Sequence, residues 1–179
     1  RDLFGTTSED NDMSALPLFV FQSGFGGKTF REDAQVSSAY DGWFNFLAGV
    51  QYIHDDASDF AHLMGLGLGI PYGNTPARTD QDVTTKSFAA FAEVYIKPMD
   101  RMTITLGGRY SSDHRGIDTT INPVAQAIFN PAGTANFSQK VSYEKFTPRA
   151  VVAYDTGPVN LYASYTQGFR AGGFNTPSF

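Results

Sequence analysis

"SFAAFAEVYIKPMDRMTITLGGRYSS", Ser87 to Ser112, reads as two strands folded on one tight turn. In its first half Phe88, Ala90, Ala92, Val94 and Ile96 share one face at a two-residue period, and Phe91, Glu93, Tyr95 and Lys97 share the other. In its second half Met102, Ile104, Leu106 and Tyr110 alternate with Thr103, Thr105, Arg109 and Ser111. Between them lie Pro98, Met99 and Asp100. Proline has no N–H to donate to a ladder and Asp favours turn geometry, so an antiparallel hairpin follows. Each run is about 10 to 12 residues long, which suits a tilted strand crossing hydrocarbon better than the usual soluble strand of about 5 or 6.

The same punctuation recurs on both sides. Tyr143 to Tyr154 and Val159 to Arg170 form a second pair joined at Asp155, Thr156, Gly157 and Pro158. Thr29 to Ser38 and Trp43 to Asp55 form a third, joined near Asp41 and Gly42. The apolar run Leu16 to Phe21, "LPLFVF", is a candidate seventh strand. Between hairpins the connections are long: residues 56–85 are glycine-rich and acidic, and residues 113–141 carry Gly116, Pro123, Pro131 and Gly133. The fold class expected is all-β, an antiparallel meander of six or seven long strands. Strict alternation of short and long connections is foreign to small soluble domains. It matches an outer-membrane barrel, with short turns at the periplasmic rim and long extracellular loops at the other.

Loop length fixes strand direction, and direction tests the membrane reading. If the short turns are periplasmic, the apolar-face residues nearest the outer rim are Tyr52, Phe88, Tyr110, Phe146 and Phe169, all aromatic. Aromatic belts form where amphipathic rings meet lipid headgroups. The misfits are Gln167 on the lipid face, near the rim, and Leu47 and Ile53 on the lumen face, where packing against something that fills the lumen would account for them.

Composition agrees by what it leaves out. The 179 residues are 41% hydrophobic, with 16 Phe, 9 Tyr, 18 Gly and no Cys. A barrel averages lipid-facing with lumen-facing positions, so a mildly polar composition does not argue against it. No stretch approaches the roughly 20 apolar residues of a spanning helix. Zero cysteines excludes disulfides, thiolate catalysis and zinc-thiolate sites in this segment, and the net charge of −5 argues against nucleic acid as a partner. The chain opens on Arg1 without a signal-peptide pattern, so it is read as an internal fragment or processed product.

With these residues in place, a resemblance emerges. "SFAAFAEVYIKPMDRMTITLGGRYSSD", followed by a long loop and "YEKFTPRAVVAYDTGPVNLYASYTQGFRAGGFN", resembles the middle of the barrel of TonB-dependent outer-membrane receptors. The likeness is carried by Phe88, Ala89, Phe91 and Glu93 before the first turn and by Thr105, Gly107, Arg109 and Tyr110 after it. Further carriers are Phe146, Thr147, Pro148 and Arg149, then Leu161, Tyr162, Ser164 and the "GFRAGGFN" run from Gly168 to Asn175. "WFNFLAGVQYIHDD" is similar to another strand of that barrel, so the likeness runs from about Thr29 to Asn175. The resemblance implies a 22-stranded barrel around an N-terminal plug, in the bacterial outer membrane. It implies import of a scarce ligand, a ferric siderophore foremost and cobalamin or a glycan as alternatives, with force delivered by TonB through the plug. Residues 1–179 would then be a partial barrel domain with neither plug nor TonB-contacting box, and Phe179 a truncation point.

Candidate chemistry is sparse. "HDDASDFAH" offers His54, Asp55, Asp56, Asp59 and His62 as metal-ligand types, but without diagnostic spacing. Asp10 and Asp12 lack the Gly and distal Glu of a calcium loop. "GFGGK", Gly24 to Lys28, lacks the spacing and hydroxyl of a phosphate loop. No Ser, His and carboxylate constellation forms a triad, so neither an enzyme nor a cofactor is expected. Arg109, Arg149 and Arg170 fall on the lumen face with Glu93 and Lys97. The plain reading pairs these charges with one another or with a plug; the sharper one has Arg109 and Arg170 bind an anionic ligand. A passive porin or structural outer-membrane barrel, and a soluble all-β binding module, remain as alternatives.

Overall fold

The computed structural model describes residues 2–10, 18–65, 75–129, 131–133 and 136–174. Its strands are β1 (Asp2–Asp10), β2 (Val20–Ser37), β3 (Phe44–Met64), β4 (Ala77–Met99), β5 (Met102–Ile121), β6 (Asn136–Asp155) and β7 (Asn160–Thr166), with one short helix, α1 (Pro123–Phe129), between β5 and β6. All seven strands lie in one sheet in chain order, each antiparallel to the next. This is the expected meander.

Its short turns are built by local polar chemistry. Asn45 Oδ1 accepts from Tyr40 N at 2.7 Å and from Ser38 Oγ at 2.9 Å, closing the β2–β3 turn. Pro98 sits where the β4–β5 register shifts between Ile96 and Met99, and Asp100 and Arg101 form the turn itself. At β6–β7, Asp155 Oδ1 accepts from Gly157 N at 2.7 Å while Gly157 holds φ at 97°. A left-handed conformation of that kind favours glycine because it has no Cβ to clash.

Three expectations need correction. The segments 56–85 and 113–141 are mostly not loops: β3 continues to Met64, β4 begins at Ala77, β5 continues to Ile121 and β6 begins at Asn136. Strands of 20 to 23 residues result. Ladder hydrogen bonds do not require apolar side chains, so a strand continues into water wherever its neighbour continues beside it. The connections left are residues 65–76 and 122–135. In the second, Asn122 caps α1 by accepting from Ala125 N at 2.9 Å and also accepts from Arg78 N at 3.0 Å. Ala125 then packs beside Ala77 in a small core with Leu63, Met64, Ile121 and Val124. The seventh strand is Asp2–Asp10, not the run from Leu16 to Phe21. Of that run, Val20 and Phe21 open β2, while Leu16 and Pro17 lie outside the described residues. Asp12, Asn175 and Phe179 lie outside them too.

Candidate functional site

Because opposed residues of an antiparallel pair share a face, the register divides the sheet into two chemically distinct sides. Odd-numbered residues of β2 to β6 form one side: Asp33 faces Gln51, Gln51 faces Ala89, Ala89 faces Ser111, and Ser111 faces Lys145. This is the side with burial, where Ala77, Thr79, Gln81, Ala89, Ile117 and Thr119 are all below a tenth exposed. A cavity of about 890 Å³ opens on it, lined by Leu3, Phe25, Thr29, Arg31, Asp55 and Asp59 among others. It is the cupped, lumen side.

The even-numbered side carries the apolar set Ala90, Ala92, Val94, Ile104, Leu106, Ala150 and Val152, none of which is buried. Since the described residues form one sheet, no second layer covers it. Tyr52, Phe88, Tyr110 and Phe146 are each 38–58% exposed on this side. Phe30 joins them, its ring 6.4 Å from that of Tyr52. Tyr52 lies directly opposite Phe88, and Tyr110 directly opposite Phe146, but Tyr110 faces Ala90, two residues below Phe88. The belt therefore steps down through the register between β4 and β5. Strands tilted to a barrel axis require such a stagger for a ring to stay level.

Eight residues below the belt on β3, β5 and β6 stand Phe44, Met102 and Tyr154. At about 3.3 Å per residue and a tilt near 40°, that spacing is roughly 20 Å of height, close to the apolar band of outer-membrane barrels. Above the belt the outward residues change character within one to three steps, with Ser112 and Ser142 among them, to Lys28, His54, Asp56, Lys86, His114, Glu144 and Lys140. A solvent boundary crosses the strands there. Phe169, expected in the belt, follows the end of β7 at Thr166.

Two polar networks line the lumen side. The lower one joins β4 to β6: Arg149 Nη1 donates to Glu93 Oε1 at 2.9 Å, and Tyr95 Oη donates to Glu93 Oε2 at 2.9 Å. Glu93 and Arg149 flank Gly107 on either side in the register, and only a residue without a side chain leaves them room to meet. A Cβ at position 107 would stand 2.6 Å from Glu93 Cγ. Gly107→Val should therefore part the pair and cost about 1–3 kcal/mol by overpacking; a denaturant titration showing no loss would contradict this account of the glycine.

The upper network crosses four strands. Arg31 Nε donates to Asp33 Oδ2 at 2.6 Å, and Gln51 Nε2 donates to Asp33 Oδ1 at 2.7 Å. Arg109 Nη2 donates to Gln51 Oε1 at 2.8 Å and Arg109 Nε to Ser111 Oγ at 3.2 Å. The guanidinium reaches over β4 because the intervening lumen residue is Ala89, only 1% exposed. Arg109 is half-buried and Arg170 is exposed, beyond the end of β7, and the structure does not link them. Arg170 makes no hydrogen bond or ion pair among the described residues. Sequence reading placed Arg109 on the lumen side but did not name Arg31, Asp33 or Gln51 as its companions; parity points each of them inward, and only the register makes them neighbours.

The acidic cluster is dispersed by the strand that carries it. His54, Asp56 and His62 point outward, whereas Asp55 and Asp59 point to the lumen, and His54 Nε2 lies 3.2 Å from Asp56 Oδ2. No group of three metal-ligating side chains occurs among the described residues. Asp59 stands well above the apolar band, where burial first and Asp82 second raise its carboxyl above the ordinary value. His62, also above the band and stacked 4.7 Å from Phe60, is lowered chiefly by burial and then by Arg78. "GFGGK" is strand rather than phosphate loop, within β2.

The profile of the family described as "TonB dependent receptor-like, beta-barrel" matches residues 3–179. Among solved structures, the chain is similar to the ferric yersiniabactin uptake receptor FyuA from Yersinia pestis, with a TM-score of 0.64 at 11% identity over 80% of this chain and 21% of that one. It is also similar to the ferric citrate transporter FecA in its unliganded form, with a TM-score of 0.54 at 20% identity over 82% of this chain and 21% of that one. The chain thus spans about a fifth of the length of either, and at these identities the likeness is one of fold. A family match through nearly every residue, on a two-faced antiparallel wall of this kind, means that the chain belongs to the TonB dependent receptor-like β-barrel family.

Proposed function

We propose that these strands are a sector of the wall of a bacterial outer-membrane transporter, seven of the 22 strands that the family resemblance implies, importing a scarce ligand with energy supplied through TonB. The observation that carries this reading is the outward face: an uncovered apolar band closed above by aromatics and then by charge. Such a face suits lipid, and soluble sandwiches bury it. A ferric chelate is the favoured ligand class, supported by the titles of the two structural neighbours, one a ferric yersiniabactin receptor and the other a ferric citrate transporter. The long strands and the connections at 65–76 and 122–135 form the extracellular side in this reading, and the short turns the periplasmic side. The chain acts as receptor and conduit, without catalysis.

Arg109 and Arg170 are proposed as contacts for an anionic chelate. The exposure of Arg170 supports this role, while the hydrogen bonds of Arg109 run to Gln51 and Ser111 of the wall. In the intact transporter, Arg109→Ala with Arg170→Ala should weaken binding of a labelled ferric siderophore by about tenfold or more, the effect of losing charged hydrogen bonds. Uptake should vanish in cells lacking TonB. Unchanged affinity would leave the arginines as wall structure, and TonB-independent uptake would favour a passive porin.

A further inference from the structure

Asn122, between β5 and α1, engages all four of its polar atoms. Its Oδ1 accepts from Ala125 N at 2.9 Å and from Arg78 N at 3.0 Å, and its Nδ2 donates to Pro76 O at 2.8 Å. Its backbone N donates to Arg78 O at 3.0 Å, and its carbonyl accepts from Gln126 N at 2.9 Å. Gln126 Nε2 in turn donates to Gly133 O at 2.9 Å, which folds the far part of the connection back onto the helix. One side chain thus ties the first turn of α1 to the start of β4 and to the other connection, which ends at residue 76. We propose that Asn122 latches the 122–135 connection onto the lumen wall as a fixed ceiling, and that this ceiling sets the size of solute that enters the cavity beneath it.

Side, position and strength of attachment each support that role. Leu63, Ala77 and Ile121, all odd-numbered and so on the lumen side, receive Val124 and Ala125 of α1. Ala77 and Ala125 are both 0% exposed. The cavity of about 890 Å³ begins four residues nearer the short turns, at Asp59 on the strand of Leu63 and at Gln81 on the strand of Ala77. Four residues of strand span about 13 Å, little more than the roughly 10–12 Å diameter of a helix with its side chains. α1 therefore stands at the edge of the cavity that is farther from the short turns. Undocking it would break three side-chain hydrogen bonds of Asn122 and return both alanines to water. A net hydrogen bond shifts an equilibrium by about two- to tenfold, so three together favour the docked form by at least about tenfold. Segments that open readily have few buried contacts and exposed backbone bonds, the opposite of this arrangement.

The proposal rests on the transporter reading above, and its test separates the two. The intact transporter, otherwise free of cysteine, carries Asp59→Cys in the cavity wall and is displayed on whole cells. It is labelled from outside with a small charged maleimide, or with a maleimide bearing a polyethylene glycol chain too wide for the cavity. The small reagent should react in the parent and in every variant. The bulky reagent should react slowly in the parent and at least about tenfold faster after Asn122→Ala, which removes the three latch bonds. Asn122→Asp keeps the acceptor for Ala125 N and Arg78 N and should restore most of the block. Ala125→Asp, which forces a charge into the covered core, should open the ceiling as Asn122→Ala does. Misfolding would change the rates of both reagents, so the ratio of the two rates reads the ceiling itself. The same ratio in the parent and in both opening variants overturns the ceiling and leaves the transporter reading standing. Failure of the small reagent to reach position 59 from outside overturns the outward-opening lumen and this proposal with it.

Discussion

Leu106→Arg should destabilise the folded barrel by about 2–4 kcal/mol, the cost of a basic side chain on a lipid face at the bilayer midplane. Leu106 lies midway between Met102 and Tyr110 on β5, opposite Val94 and Ala150, and is 45% exposed on the outward side. The adjacent substitution, Thr105→Arg, places the same charge on the polar lumen side beside Tyr95 and Val151. It should cost less than about 1 kcal/mol, as substitutions in a solvated setting do. Reversible urea unfolding in vesicles measures both. Equal penalties at 105 and 106 would mean that the faces do not meet different solvents.

Expressed alone, the 179-residue chain should fail to span a bilayer as a stable monomer. β1 and β7 each have one neighbour in the sheet, so two edges present unpaired N–H and C=O groups. Lipid supplies no partner for them, and each group left bare in hydrocarbon costs several kcal/mol. Edge-to-edge association or aggregation is the expected outcome, and the chain alone should bind no siderophore. Vesicle flotation with protease protection reads the result; a protected, monomeric, strand-rich species would contradict it.

Much of this architecture was legible because its signals are local. A two-residue period over Phe88–Ile96 and Met102–Tyr110 assigns faces without knowledge of any partner, and Pro98 with Asp100, or Asp155 with Gly157, marks the reversals between strands. The upper halves of β3 to β6 were illegible for the complementary reason. Above the belt the outward face meets water and the buried inward positions include Thr79, Gln81 and Thr119, so Asp56, Ser58, Thr84, Asp118 and Ser138 belong to no hydrophobic alternation, and only the neighbouring ladder holds them extended. β1, "DLFGTTSED", escaped notice in the same way, while the more apolar "LPLFVF" drew attention as a strand. At the candidate site, parity sufficed to turn Arg109 inward. Its tie to Gln51, and that of Gln51 to Asp33, depends on registers between strands far apart in sequence and on Ala89 being small enough to reach across.

The claim beneath all of this is that β5 separates lipid from an aqueous lumen. Single spin labels placed along it, from Met102 to His114 in the intact barrel in vesicles, test that claim most directly through collisions with oxygen and with a water-soluble nickel complex. Positions 102, 104, 106, 108 and 110 should favour oxygen, and 103, 105, 107, 109 and 111 should favour nickel. The alternation should end at Ser112 to His114, where both faces meet water. Oxygen preference without alternation, or labels at 104 and 106 shielded from both reagents, would contradict a lipid-facing wall and point to a strand buried between two protein layers.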